Sequence, residues 1–175
     1  MALQFSEETD EKFEELVSRY PNNQAALLPA LLLAQSEFGW VSVEVMDYLA
    51  ERLELNPAQV LSTATFYTMV NKQPIGKVHI QVCTTLTCAV CGGYEVIDHL
   101  EDRLDIRLGE TTPDGNYTIS EAECLASCGT APMFQVTYSN GDIEYHENLT
   151  LERVDELLEE FDEKLDELPS PKKMH

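Results

Sequence analysis

Apolar side chains along residues 1–75 recur every three or four positions, the spacing of helices that turn one face inward. Ser6 is placed to cap a first helix with Phe13, Leu16, Val17 and Tyr20 as its stripe, and Pro21 follows where that helix should stop. A second helix is predicted over about 24–38, carrying Leu27, Leu28, Leu31 and Leu32 and ending at Gly39. Pro29 should kink it or move its start. Ser42 can cap a third helix with Val43, Met46, Leu49, Ala50 and Leu53 on one face. Asn56-Pro57-Ala58-Gln59 joins a cap, a first-turn proline and an amide at the third position, a strong start for a fourth. That helix carries Val60, Leu61, Ala64, Phe66 and Tyr67. Phe66 and Tyr67, with Phe38 and Trp40, are expected in the core or against a second domain. No titratable constellation occurs here, so this half reads as an adaptor.

Beyond Lys72-Gln73-Pro74-Ile75-Gly76 the period changes. Val78, Ile80 and Val82 alternate with polar residues, a strand running straight into Cys83. Residues 92–104 predict a helix with Val96, Ile97 and Leu100 inward. Pro113-Asp114-Gly115 is a turn, after which Tyr117, Ile119 and Glu121 lie on a second strand that delivers Cys124. Residues 134–147 predict a hairpin around Asn140-Gly141. A last helix over 150–168 has Leu151, Val154, Leu158, Phe161 and Leu165 as its stripe and nine acidic residues outside it. The chain is therefore expected as a helical bundle over 1–75, an α/β domain over 76–168 and a frayed tail over 169–175. Strand, helix, strand, hairpin, helix is the order of a thioredoxin-like layer. In such a layer both cysteine loops leave strand ends, where sites in open sheets collect. Pro132 falls where thioredoxin-like folds often hold a cis proline, and the Ala131–Pro132 ω angle decides whether it does.

Thirty-two acidic residues against eleven basic give a net charge of -21. Such a surface repels phosphate backbones and anionic lipid, so neither nucleic acid nor direct membrane contact is expected. The chain begins Met-Ala-Leu-Gln-Phe-Ser and turns acidic at Glu7, with no basic segment and apolar run of a secretory signal. The longest apolar stretch, residues 25–34, is broken by Pro29 and is too short to span a bilayer. A reducing cytosol is the expected setting, where clustered cysteines usually bind metal or do redox work.

All five cysteines lie between residues 83 and 128. Cys83 and Cys88 form a C-x4-C, Cys124 and Cys128 a C-x3-C, and 35 residues separate the pairs. A tetrahedral iron or zinc ion needs thiolates from different directions, and a short loop with two of them supplies half the set. Four readings compete. In one, Cys83, Cys88, Cys124 and Cys128 hold a [2Fe-2S] cluster and Cys91 stands aside as a buried, inert thiol. In another, Cys83, Cys88 and Cys91 form the C-x4-C-x2-C run of plant-type ferredoxins with a distant fourth ligand, which leaves one adjacent thiol idle. A zinc site on Cys88, Cys91, Cys124 and Cys128 strands Cys83, and a thioredoxin-style dithiol at Cys88 and Cys91 is the weakest. The first uses every paired thiol. No G-x-G-x-x-G or P-loop occurs, and His79, His99, His146 and His175 have no C-x-H pairing of the Rieske kind, so they read as surface or structural residues.

The runs Glu123-Cys124-Leu125-Ala126-Ser127-Cys128-Gly129-Thr130-Ala131-Pro132-Met133, Cys83-Thr84-Thr85-Leu86-Thr87-Cys88 and Ala64-Thr65-Phe66-Tyr67-Thr68-Met69 together carry a family likeness. Over roughly residues 10–165 the chain resembles the small [2Fe-2S] subunit of NADH:quinone oxidoreductase, respiratory complex I. The same module serves the diaphorase parts of NAD-linked hydrogenases and formate dehydrogenases. The resemblance implies an N-terminal helical bundle, a thioredoxin-like C-terminal domain and one [2Fe-2S] cluster on Cys83, Cys88, Cys124 and Cys128. It implies single electrons taken from reduced FMN on a flavoprotein partner that also binds NADH, a large iron-sulfur subunit as a second partner, and no NADH oxidation by this chain alone. It further implies a cytoplasmic place, peripheral to the inner membrane through the complex. Cys91 is no ligand in that pattern, and its presence here is a departure from it. The alternative of another class is a zinc-stabilised adaptor.

Overall fold

The computed structural model describes residues 3–171, which divide into two compact units meeting in sequence between Pro74 and Ile75. The frayed tail expected over 169–175 and His175 fall, from residue 172 on, outside the described residues.

The first unit holds α1 (Glu7–Ser18), α2 (Asn23–Phe38), α3 (Val43–Arg52) and α4 (Pro57–Phe66). Local signals set their starts. Ser6 accepts from Thr9 N–H, Ser42 from Val45 N–H, and Asn56 with Gln59 closes a capping box ahead of Pro57. α2 begins at Asn23, capped by Asn22, and runs through Pro29 to Phe38, so the proline does not move its start. Its buried face is Ala26, Leu27, Ala30, Leu31 and Ala34 rather than a row of leucines. Small residues there let α2 lie close against its neighbours. Phe13, Leu49, Leu53 and Val60 complete this core.

The expected stripes are partly corrected. Tyr20, Leu32, Val43, Leu61, Phe66 and Tyr67 are exposed, Phe66 at 77%. Phe66 and Tyr67 lie outside the core of the first unit and pack edge to face on each other, ring centroids 5.1 Å apart. Periodicity assigns a residue to a side of a helix, but α4 is narrow in its buried contact: Val60 and Ala64 alone fill it.

The second unit holds β1 (Val78–Cys83), α5 (Leu86–Val90), α6 (Gly93–Leu104), β2 (Tyr117–Ala122), β3 (Phe134–Tyr138), β4 (Ile143–His146) and α7 (Leu151–Lys164). The sheet order is β2-β1-β3-β4, with β1 parallel to β2 and antiparallel to β3, and β3 antiparallel to β4. Alternation puts Val78, Ile80 and Val82 beside Tyr117, Ile119, Phe134 and Val136 on one face. There they meet Val96, Ile97 and Leu100 of α6 and Val154, Leu157, Leu158 and Phe161 of α7. Leu151, expected in that stripe, is 40% exposed at the first position of α7. The peptide bond between Ala131 and Pro132 is cis, as thioredoxin-like topology suggests. Among the described residues no helix is long and apolar enough to cross a membrane.

Candidate metal centre

β1 carries Cys83 at its carboxyl end, and in the parallel register Cys83 stands opposite Ala122, the last residue of β2. Cys124 follows two residues on. Cys83 N–H donates to Met133 O at 3.1 Å and Thr84 N–H to Ala122 O at 3.0 Å. Those bonds tie the roots of both cysteine loops and the entry to β3 at one end of the sheet, the end where open α/β sheets place their sites.

The first loop is short because Thr85 starts a helix at once. Nothing in the sequence pattern predicts α5: one turn long, it is below the length at which periodicity speaks. It buries Cys88 at 2% exposure, beside Cys83 at 3% and Met133 at 1%. Gly92 then takes a left-handed conformation, φ 101°, and Gly93 opens α6 against the loop. A Cβ on Gly93 would lie 2.9 Å from the carbonyl oxygens of both Cys83 and Cys88, so only glycine lets the helix start this close.

The two buried thiols share one apolar cluster with Met133, and they shift in opposite senses. Burial raises the Cys83 thiol, but the amides of Thr85 and Leu125 and the Cys88 S–H directed at its sulfur outweigh burial and hold it below the ordinary thiol range. Burial and the neighbouring Cys83 push Cys88 up to about 11, against the amide of Met133, with a smaller push from Cys128. Of these three amides, Thr85 and Leu125 belong to the two cysteine loops. Met133 lies outside both, and nothing in the cysteine spacing points to it.

The second loop turns through Ala126 in the left-handed region, φ 60°, and a 3₁₀ turn over Cys128–Thr130. Cys124 and Cys128 are exposed on it, and so is Cys91, which ends α5 instead of being buried at a helix start as expected. Among the described residues no group of three or more His, Cys, Asp or Glu side chains converges to hold a metal ion. A single tetrahedral ion needs four donors around one point, whereas a two-iron cluster takes thiolates in pairs, one pair to each iron. Two cysteine pairs on adjacent loops form a donor set that suits such a cluster.

Comparison with known proteins agrees with this arrangement. Residues 13–162 match the family model for the thioredoxin-like [2Fe-2S] ferredoxin. The chain is 44% identical over 151 residues to an NADH-quinone oxidoreductase subunit of Rhizobium meliloti, covering 86% of this chain and 87% of that one. It is 38% identical over 156 residues to NADH-quinone oxidoreductase subunit 2 of Thermus thermophilus, covering 88% and 84%. Among solved structures it is similar to an NAD+-reducing [NiFe]-hydrogenase in the air-oxidized state, at a TM-score of 0.64 and 22% identity. That match covers 82% of this chain but 24% of the hydrogenase chain, and it speaks to the fold alone. With matches of this extent in sequence and architecture, the chain belongs to the thioredoxin-like [2Fe-2S] ferredoxin family.

Proposed function

We propose that this chain is an electron-transfer subunit of NADH-quinone oxidoreductase, holding one [2Fe-2S] cluster on Cys83, Cys88, Cys124 and Cys128. The observation that carries the reading is the meeting of both cysteine loops at the ends of β1 and β2, with Leu125 of the second loop packed against Cys83, Cys88 and Met133. The relatives' name supports the host complex. When bound, the cluster supplies a group that accepts and returns one electron without bond chemistry. The chain's own residues do the rest. Cys83 and Cys88 present a buried pair of thiols, and the amides of Thr85, Leu125 and Met133 stabilise negative charge on sulfur. Those bonds favour the reduced state, and the net charge of -21 opposes it.

In this reading the hydride of NADH goes to FMN on a flavoprotein partner, and reduced FMN passes single electrons to this chain. The large iron-sulfur subunit is the second neighbour, and the chain sits on the cytoplasmic side, peripheral to the inner membrane through the complex. Anaerobic purification followed by iron and sulfide content, absorption and EPR spectra tests the reading. A reduced-state EPR signal with two irons per chain is expected. It should survive Cys91→Ala and be abolished or distorted by Cys124→Ala. A colourless protein with bound zinc, or a signal lost in the Cys91 variant alone, would overturn the ligand assignment. NADH turnover by the flavin-free chain would overturn the division of labour.

A further inference from the structure

The second cysteine loop has an anchor that lies outside the cysteine motifs. Ser127 immediately precedes Cys128, and Thr130 follows it by two. Their hydroxyl oxygens are 2.7 Å apart. Both hydroxyls reach the same carboxylate oxygen, Oε1 of Glu147, Thr130 donating at 2.7 Å and Ser127 completing the pair. Glu147 sits just past the end of β4, 17 residues from Thr130 and 20 from Ser127. Two backbone bonds run alongside: Asn148 N–H donates to Thr130 O at 2.7 Å and Leu149 N–H to Pro132 O at 3.0 Å.

The loop needs such an anchor. Ala126 occupies the left-handed region without being glycine, and a residue so placed stays there only when its surroundings hold it. The loop's cysteines are exposed, and its apolar contacts come from Leu125 and Ala131, on either side of the 126–130 turn. A carboxylate is also an expensive neighbour for a site that takes up negative charge, in a chain that already carries 32 acidic residues. Two hydroxyl donors converging on one oxygen offset that cost with charge-assisted bonds.

We propose that Glu147 is a positioning residue for the cluster: through Ser127 and Thr130 it fixes the turn on which Cys124 and Cys128 stand, without touching the metal. The inference rests on the reading of those two cysteines as ligands. It predicts that the geometry at the metal depends on an acceptor at position 147 more than on the charge there.

The test compares the full, anaerobically purified chain with Glu147→Ala, Glu147→Gln and the pair Ser127→Ala/Thr130→Val. Three readouts are taken: amide hydrogen exchange over residues 126–130, iron release to a chelator, and the EPR line shape after reduction. Losing two bonds to an exposed carboxylate should speed exchange and iron release in Glu147→Ala by roughly five- to tenfold and broaden the EPR signal. Glu147→Gln keeps an oxygen acceptor and should recover most of the protection and the native line shape. The Ser127/Thr130 variant should reproduce Glu147→Ala, and adding Glu147→Ala to it should change nothing further. Exchange at Ile80 in β1 reports whether the domain itself stays folded. The inference is overturned if Glu147→Ala matches the native chain in all three readouts, or if Gln is as damaging as Ala. A native chain that takes up no iron would sink the cluster reading, while the exchange comparison would still decide whether Glu147 holds the loop.

Discussion

Acidification should destabilise the second unit in part through a buried side chain, His79. It lies in β1 with 6% of its surface exposed, and its Nε2 is 2.7 Å from Ser120 Oγ on the neighbouring strand. Burial pushes its pKa down from 6.5 to about 4. In the unfolded chain the imidazole is hydrated and titrates near ~6.5. Above that pH both states are neutral, so the stability tied to a neutral His79 is fully present. As pH falls below ~6.5 the unfolded chain takes a proton that the folded chain refuses, and stability is lost until the folded imidazole titrates near 4. At about 1.36 kcal/mol per pH unit between the two values, the loss is about 3 kcal/mol, most of it reached by pH 4.5. Urea unfolding followed by far-ultraviolet circular dichroism, at several pH values from 7.5 to 4.5, measures it. His79→Gln is the control, since its amide can still meet Ser120 but takes up no proton. Carboxylates titrate alike in both proteins, so the difference between the two curves isolates His79. The native chain should lose stability relative to the variant across this window. Parallel curves, or a native chain that gains on the variant as pH falls, would refute the reasoning.

Three further outcomes are expected. Gly93→Ala forces a Cβ against two carbonyl oxygens at 2.9 Å, and should cost about 1–3 kcal/mol in urea unfolding and lower the iron bound per chain; unchanged iron content would contradict the account of the first loop. Arg52 Nη1 meets Asp10 at 2.5 Å and Tyr48 at 2.8 Å, Nη2 meets Glu14 at 2.7 Å, and the guanidinium lies 4.5 Å from the Phe13 ring centroid. Arg52→Ala should therefore destabilise the first unit by about 1–2 kcal/mol, and Arg52→Lys by more than half of that, because an ammonium cannot fork between the partners; a fully tolerated lysine in the same denaturation assay would count against this. Pro29→Ala restores an N–H that can bond to Ala25 O inside α2, and thermal unfolding should show a gain of about 1–2 kcal/mol; a loss would mean that the helix depends on the proline ring.

Much of this protein is written in local signals. Ser6, Ser42 and Asn56 cap the helices they precede because a cap involves a hydroxyl or amide and a backbone N–H at most three residues away. Val78, Ile80 and Val82 alternate because that face of β1 meets the apolar core under α6 and α7, and Gly141 turns the hairpin at φ 94°. The spacing of Cys83, Cys88, Cys124 and Cys128 is legible for the same reason: chelating pairs are short in sequence. The family itself follows from these residues together with the motif at Ala64-Thr65-Phe66-Tyr67-Thr68-Met69.

Other features depend on which distant segments meet, and no periodicity encodes that. Phe66 and Tyr67 are apolar and at helical spacing, yet they lie outside, because Val60 and Ala64 already fill the contact that α4 makes. Cys91 is exposed because α5 ends there, one turn after it begins. Met133 packs against Cys88 only because β3 runs antiparallel beside β1, and Glu147 reaches Ser127 and Thr130 only because β4 returns alongside β3. A sequence states which groups can donate, accept or bury themselves. Which of them do so across 17 or 20 residues is settled by the register of the strands, and register is a property of the whole packed sheet.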